Sequence, residues 1–180
     1  MAVGVTRLRV ALGVLALALI GCGSVAPRTT FPPIGSTPQP AGDATNATKQ
    51  AVIEALGAAG LPAADAVRTY RPPEGPLLAA APRSVVQVTL PDDPDHGLIV
   101  IYALGSPNAA IAAATDHAAW VGTGIGSINF APGTQFVLRT LGSTVISFSW
   151  LPANSPDART ATIASTLETI GVAVEIHALS

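Results

Sequence analysis

Hydrophobic residues recur at helical spacing from residue 45 onward, where Val52 and Leu56 lie about one turn apart. The pattern stops at Gly60, which can adopt the left-handed conformation that closes a helix. It therefore predicts an N-terminal helix over residues 45–59, and we expect Leu61 to fold back on Leu56.

The next segment, residues 61–83, contains five prolines and shows no hydrophobic periodicity. Such a composition predicts irregular structure, with a single helical turn over residues 63–68. A stretch of this length without regular structure is often functional.

Two segments with a shared plan follow. In the first, residues 84–90 and 98–104 are rich in β-branched residues and predict two strands. Ser106-Pro107 then predicts the start of a helix that ends at Gly122, because serine caps helices and proline suits the first helical position.

In the second segment, residues 134–141 and 144–150 predict strands for the same reasons. Ser155-Pro156 predicts the start of the last helix, which ends at Gly171.

This order of elements predicts an α+β fold, in which an N-terminal helix precedes two β-β-α units. The units are expected to form a mainly antiparallel four-stranded sheet with the helices packed on one face. Residues 98–104 are apolar throughout and are placed at the centre of the sheet. Residues 172–176 are expected to form a short edge strand. The buried stripe of the last helix is predicted to be Ile163, Leu167 and Ile170.

The turn of the second hairpin decides which apolar residues share a face. A two-residue turn at Gly142-Ser143 divides them between the faces, whereas pairing Thr140 with Thr144 across a three-residue loop keeps them together. The sequence therefore favours the three-residue loop. The residues that this register places on one face are Phe136, Leu138, Ile146 and Phe148.

The first 20 residues have the layout of a signal peptide. Arg7 and Arg9 precede an uninterrupted run of eleven apolar or small residues, 10–20. A helix of that length reaches about 16 Å, which is short of a hydrocarbon core of about 30 Å.

The run ends at Leu19-Ile20-Gly21-Cys22, which resembles the lipobox of bacterial lipoprotein signal peptides. The resemblance implies cleavage between Gly21 and Cys22 and a diacylglyceryl group on the Cys22 thiol. It further implies an anchor in the cell membrane that faces the extracytoplasmic side, since two acyl chains hold a protein stably. The alternative is an ordinary signal peptide or an uncleaved anchor with a chance cysteine.

The domain organisation follows from these observations. Residues 1–21 are predicted to be a signal peptide, residues 22–44 a lipidated N-terminus with a Pro-rich linker, and residues 45–180 a single α+β domain.

The composition excludes several classes of function. Charged residues make up 11% of the chain, and Lys49 is the only lysine. Nucleic-acid binding is not expected, because it requires clustered basic residues. A single cysteine in the sequence excludes an internal disulfide and a cysteine-based metal cluster.

An acidic segment, Asp92-Asp93-Pro94-Asp95-His96, is the first candidate for chemistry, because clustered carboxylates and an imidazole can bind a metal. No register of it provides the glycine and glutamate of a calcium-binding EF-hand loop. A solvated hairpin turn is therefore the favoured interpretation. A metal-dependent hydrolase built from Asp92, Asp93, Asp95 and His96 is the alternative.

Three further patterns are interpreted as structural. Asp116 and His117 point about 100° apart on a helix, which favours a surface pair over a catalytic base with its orienting acid. The glycine-rich residues 122–127 close a helix rather than open one, which predicts a connector instead of a phosphate loop. His177 lies too near the C-terminus to be a rigid catalyst.

Two groups of residues could contact a ligand. Trp120, Trp150, Phe136 and Phe148 could form an aromatic platform, although core packing is the favoured interpretation. The second group is a candidate recognition loop for an anionic partner, stiffened by proline. A covering loop whose arginine and glutamate pair at the surface is nevertheless the favoured interpretation. The loop residues are Arg68, Tyr70, Arg71 and Glu74.

These observations together predict a lipid-anchored bacterial lipoprotein that acts as a non-catalytic binding or accessory module of the cell envelope. The expected partners are the bilayer, through acylated Cys22, and a small ligand or an envelope protein. No cofactor, metal or catalytic residue is assigned. A membrane-tethered metal-dependent hydrolase and a structural or assembly subunit are the alternatives.

Overall fold

The computed structural model of the protein describes residues 42–176. Within that range the chain folds into helices and short strands in alternating groups, with one 3-10 turn at Pro152–Asn154. The helices are α1 (Asp43–Ala58), α2 (Pro76–Ala79), α3 (Pro107–Gly122), α4 (Gly124–Ser127) and α5 (Arg159–Leu167). The strands are β1 (Ala63–Asp65), β2 (Arg83–Val88), β3 (Leu98–Ala103), β4 (Gln135–Leu141), β5 (Thr144–Trp150) and β6 (Val172–Ala173).

The strands form one antiparallel sheet in the order β1-β2-β3-β5-β4-β6. The α+β class, the two predicted hairpins and the central position of β3 are confirmed. The sheet has six described strands rather than four, because β1 and β6 add one to each edge. β1 lies where a helical turn was predicted, and that prediction is wrong: pairing with β2 overrides the helical preference of alanine.

The helices cover both faces of the sheet, so the prediction that they pack on one face is wrong. Ile99 and Ile101 of β3 belong to the core layer that α1 and α5 cover. Val100 and Tyr102, which alternate with them, belong to the layer that α2 and α3 cover. This double burial explains why the strand is apolar throughout.

The second hairpin turns through two residues, and the predicted three-residue loop is wrong. Leu141 pairs with Thr144, and Gly142 has a φ of +55°, the sign that the first central position of a type II′ turn requires. Leu138 and Ile146 consequently lie on opposite faces. The division leaves neither exposed, because helices cover both faces.

α1 begins two residues before the predicted start and ends one residue before the predicted end. Gly60 adopts a φ of +77°, and the Leu61 N–H donates to the Leu56 carbonyl at 2.9 Å, as expected. Thr48 of α1 forms a buried hydroxyl pair with Thr144 of β5 at 2.9 Å. That pair ties the helix to the middle of the sheet.

α3 begins and ends as predicted. The Ser106 hydroxyl accepts a hydrogen bond from the Ala109 N–H at 3.2 Å, and Pro107 occupies the first helical position. This capping satisfies a backbone N–H that has no partner inside the helix.

α5 begins at Arg159 rather than at Ser155-Pro156, so that predicted start is wrong. The buried Asp157 carboxylate accepts from the Arg159 N–H at 3.0 Å and from the Arg159 guanidinium, so the chain is held immediately before the first helical residue. α5 ends at Leu167, so the predicted end at Gly171 is wrong as well. Ile163 and Leu167 are buried on the helix as predicted, and Ile170 is buried in the turn that follows it. The predicted edge strand is β6, which has two residues and pairs with β4.

The predicted signal peptide, most of the linker, Gly21, Cys22 and His177 lie outside the described residues. Among residues 42–176, no helix combines the length and the apolar character needed to cross a membrane.

Candidate functional site

Residues 66–75 form a loop that joins β1 to α2 and contains the predicted recognition residues. At its start, the Ala66 N–H donates to the Val85 carbonyl, and the neighbouring Asp65 forms an ion pair with Lys49 of α1 at 2.9 Å. At its end, the Gly75 N–H donates to Nδ1 of His117 on α3 at 3.1 Å. The loop is therefore fixed to the domain at both ends.

Glu74 occupies a different place from the one expected. Its side chain is 2% exposed and accepts hydrogen bonds from the Tyr102 hydroxyl at 2.8 Å and from Arg83. Arg71, which is half exposed, donates to the same carboxylate at 3.3 Å. The predicted arginine–glutamate pair exists, but Glu74 is a buried anchor rather than a surface contact.

The buried carboxylate changes the chemistry of two tyrosines. Burial raises the pKa of Tyr102 far above its usual range, and the charge of Glu74 and its hydrogen bond raise it further. Burial also raises the pKa of Tyr70, with a second contribution from Glu74. Both phenols stay protonated, and the Tyr102 hydroxyl donates to Glu74.

Arg68 and Tyr70 line an open cleft of about 500 Å³, and Tyr70 also packs against the core layer that contains Tyr102. This volume falls within the range of clefts that hold small molecules. Three regions distant in sequence form it: the loop, the turn before β3 and the end of β5. Its lining residues are Arg68, Thr69, Tyr70, Asp95, His96, Gly97, Leu98, Phe148, Ser149, Trp150, Leu151, Asn154 and Ser155. We name this site the Arg68–Trp150 cleft.

The acidic segment lies in the turn between β2 and β3, as predicted. Asp95 is exposed and accepts from Arg68 at 2.9 Å, whereas Asp93 is buried and forms a hydrogen bond to Nδ1 of His96. The second Asp93 oxygen, Oδ2, is buried without a partner. Within residues 42–176, no three side chains of the metal-binding types converge, so the acidic segment does not form a ligand set.

Asp92 takes a structural position. Its N–H donates to the Asp157 carboxylate at 3.3 Å, and that bond contributes, after the side-chain bond from Arg159, to the low pKa of Asp157, about 2. The turn is therefore fastened to the start of α5.

His117 is buried, and its prediction as half of a surface pair is wrong. Burial lowers its pKa to about 4, while the neighbouring Asp116 acts in the opposite direction. Its ring stacks on Trp120 with centroids 5.8 Å apart. Because Nδ1 accepts from Gly75, the neutral ring carries its proton on Nε2.

The four aromatic residues form two groups rather than one platform. Phe148 is buried and stacks on Trp150 at a centroid distance of 5.3 Å, beside the Arg68–Trp150 cleft. Phe136 belongs to a chain of edge-to-face contacts with Phe130 and Trp120. Core packing accounts for Phe148, and Trp150 remains in contact with the cleft.

A second cavity, of about 910 Å³, lies beside the aromatic chain. Phe130, Phe136, Ile128, Val174 and Ile176 line it, and Ile128 is 81% exposed. The glycine-rich residues beside it form the connector that was predicted: α4 follows α3 directly, and a Cβ on Gly126 would lie 1.9 Å from the Trp120 carbonyl oxygen.

Sequence reasoning missed Arg83 and Tyr102 as partners of Glu74. The one available signal was Tyr102 itself, whose hydroxyl in a fully buried strand requires a partner.

Comparison with known proteins finds no family model, no curated protein and no solved structure that matches the chain.

Proposed function

We propose that the protein is a lipid-anchored, non-catalytic module that binds a small ligand on the extracytoplasmic side of the cell membrane. The observation that carries the binding proposal is the Arg68–Trp150 cleft. It joins the predicted recognition residues Arg68 and Tyr70 to the partly exposed Trp150.

The anchoring of the loop supports a binding role. A loop held at Asp65, Glu74 and Gly75 presents Arg68 and Tyr70 in one arrangement, which lowers the entropy lost when a ligand binds. The resemblance of Leu19-Ile20-Gly21-Cys22 to a lipobox supports the location, because acylation would keep the module at the membrane.

The binding proposal is tested by thermal unfolding of the full-length protein with a low-molecular-mass extract of the bacterial envelope. A ligand of the folded state raises the unfolding midpoint by mass action. We expect an increase for the wild type and for Val67→Ala, a fully exposed control in the same loop. Arg68→Ala is expected to reduce the increase. A midpoint that the extract leaves unchanged contradicts the binding role.

The anchor is tested by the intact mass of the membrane-extracted protein. We expect a chain that begins at Cys22 and is heavier by a diacylglyceryl group. Cys22→Ala is expected to release the protein from the membrane fraction. An unmodified wild-type chain, or a Cys22→Ala variant that stays in the membrane, contradicts the anchor.

A further inference from the structure

We propose that the ligand of the Arg68–Trp150 cleft is a saccharide, an uncharged ring that bears several hydroxyl groups. This assignment rests on the proposed binding function and adds the ligand class. It follows from the charge balance of the cleft, from its aromatic wall and from polar side chains left without protein partners.

The charged side chains of the cleft are balanced in pairs. Arg68 donates to the Asp95 carboxylate at 2.9 Å and also to the Asp95 carbonyl, so its guanidinium is occupied by this partner. His96 is paired through Nδ1 with the buried Asp93. These pairs present both donors and acceptors, and the Arg68–Asp95 pair leaves no excess of positive charge for an anion. A neutral ligand with hydroxyl groups, each a donor and an acceptor, matches this wall.

The aromatic wall of the cleft lies beside these pairs. Trp150 is partly exposed, and its indole stacks on the buried Phe148 with an interplanar angle of 15°. The stack fixes the orientation of the indole. The C–H groups on one face of a sugar ring pack on such a surface, while the hydroxyl groups at the ring edge reach polar neighbours.

Three short polar side chains complete the site: Ser149, Asn154 and Ser155. Each lines the cleft, and none forms a side-chain hydrogen bond with another residue in the part of the chain that the structure describes. They follow one another along the end of β5 and the 3-10 turn. This row of free hydroxyl and amide groups is available to the hydroxyl groups of a ligand.

The experiment titrates the full-length protein, held in a detergent without a sugar head group, with maltotriose, cellotriose and triacetylchitotriose. Binding is measured by calorimetry and by saturation-transfer NMR. We expect saturable binding of at least one trisaccharide with a Kd below about 1 mM, and a loss of at least about tenfold in Trp150→Ala. Val67→Ala is the matched control and is expected to bind like the wild type.

A second variant protects the test against poor folding of Trp150→Ala. Asn154 is exposed, so Asn154→Ala preserves the core and is also expected to weaken trisaccharide binding. Inorganic phosphate and indole-3-acetate serve as the anionic and flat aromatic probes. One outcome is that phosphate or indole-3-acetate binds, that Trp150→Ala or Arg68→Ala abolishes this binding, and that no trisaccharide binds. In that case the saccharide assignment is wrong and the binding function stands. If no probe binds, the saccharide assignment is again wrong, and the envelope extract decides the binding function separately.

Discussion

Among single residues, Glu74 is notable because its carboxylate is 2% exposed and accepts hydrogen bonds from Arg71, Arg83 and Tyr102. We expect Glu74→Gln to lower the free energy of unfolding by about 2 kcal/mol, because Arg83 loses its buried counter-charge. Urea unfolding monitored by circular dichroism measures the change.

Asp95 provides the matched control for that substitution. It also pairs with an arginine, but its side chain is 80% exposed. Asp95→Asn is expected to change stability by less than about 1 kcal/mol, because water screens an exposed pair. Equal losses in the two variants would show that the burial of Glu74 contributes nothing.

His117 makes stability depend on pH. Its pKa is about 4 in the folded protein and 6.5 in the unfolded chain, so the unfolded chain takes up its proton first as the pH falls. The stabilisation is complete above pH 6.5 and is lost progressively toward pH 4, by an amount of the order of 3 kcal/mol. Urea midpoints measured across this range report the loss.

His117→Gln is expected to flatten the pH dependence in that window, since glutamine does not titrate. His96→Gln is the control, because the His96 side chain is 59% exposed and outside the α3 contact with Gly75. An unchanged slope in His117→Gln would mean that another group carries the effect.

At the scale of elements, Gly171 sets the path from α5 into β6. Its φ is +61°, and a Cβ there would lie 2.2 Å from the Thr140 carbonyl oxygen of β4. We expect Gly171→Ala to destabilise the protein by about 2–4 kcal/mol through strain and the displacement of β6. Hydrogen exchange of the Val174 amide, which donates to Leu138, reports on this edge.

Gly142→Ala separates the cost of backbone strain from the cost of the close approach to Thr140. Gly142 also has a positive φ, of +55°, but no atom lies within 4 Å of an added Cβ. It is expected to cost about 1–2 kcal/mol from the backbone alone. If Gly171→Ala costs no more than Gly142→Ala, the close approach to Thr140 is not a constraint.

The elements that the sequence predicted correctly are those with local signals. Ser106-Pro107 supplies both a cap and a first-position proline, and α3 begins there. The same dipeptide at Ser155-Pro156 does not begin α5, which starts at Arg159, where the N–H donates to the buried Asp157 carboxylate. β1 has no local signal, since its three residues become a strand only by pairing with β2.

The candidate site was predictable only in pieces. Arg68 and Tyr70 were identified as contact residues and do line the cleft, whereas Glu74 does not. Whether a loop side chain faces the core or a cleft depends on partners from other strands, such as Tyr102 and Trp150. The spacing of residues within the loop does not predict these partners.

For the whole molecule, the decisive feature is a sheet that helices cover on both faces. Ile101→Ala removes a buried side chain from one layer and Val100→Ala from the other, and both are expected to cost about 2–4 kcal/mol. Ile111 of α3 is 53% exposed, and Ile111→Ala is expected to change stability by less than about 0.5 kcal/mol. A small effect at either β3 position would contradict double burial.

The hydroxyl pair between Thr48 and Thr144 joins residues 96 positions apart, at the seam where β3 meets β5. Each hairpin can form from its own residues. Pairing of β3 with β5, in contrast, requires a long loop to close before any contact between them forms, and that closure costs chain entropy. We therefore expect the joining of the hairpins to limit the folding rate. In stopped-flow measurements, Ile146→Val at the seam should slow refolding, whereas Val172→Ala at the outer edge should not. It follows that the Thr48 hydroxyl of α1 meets Thr144 only after the two hairpins have joined.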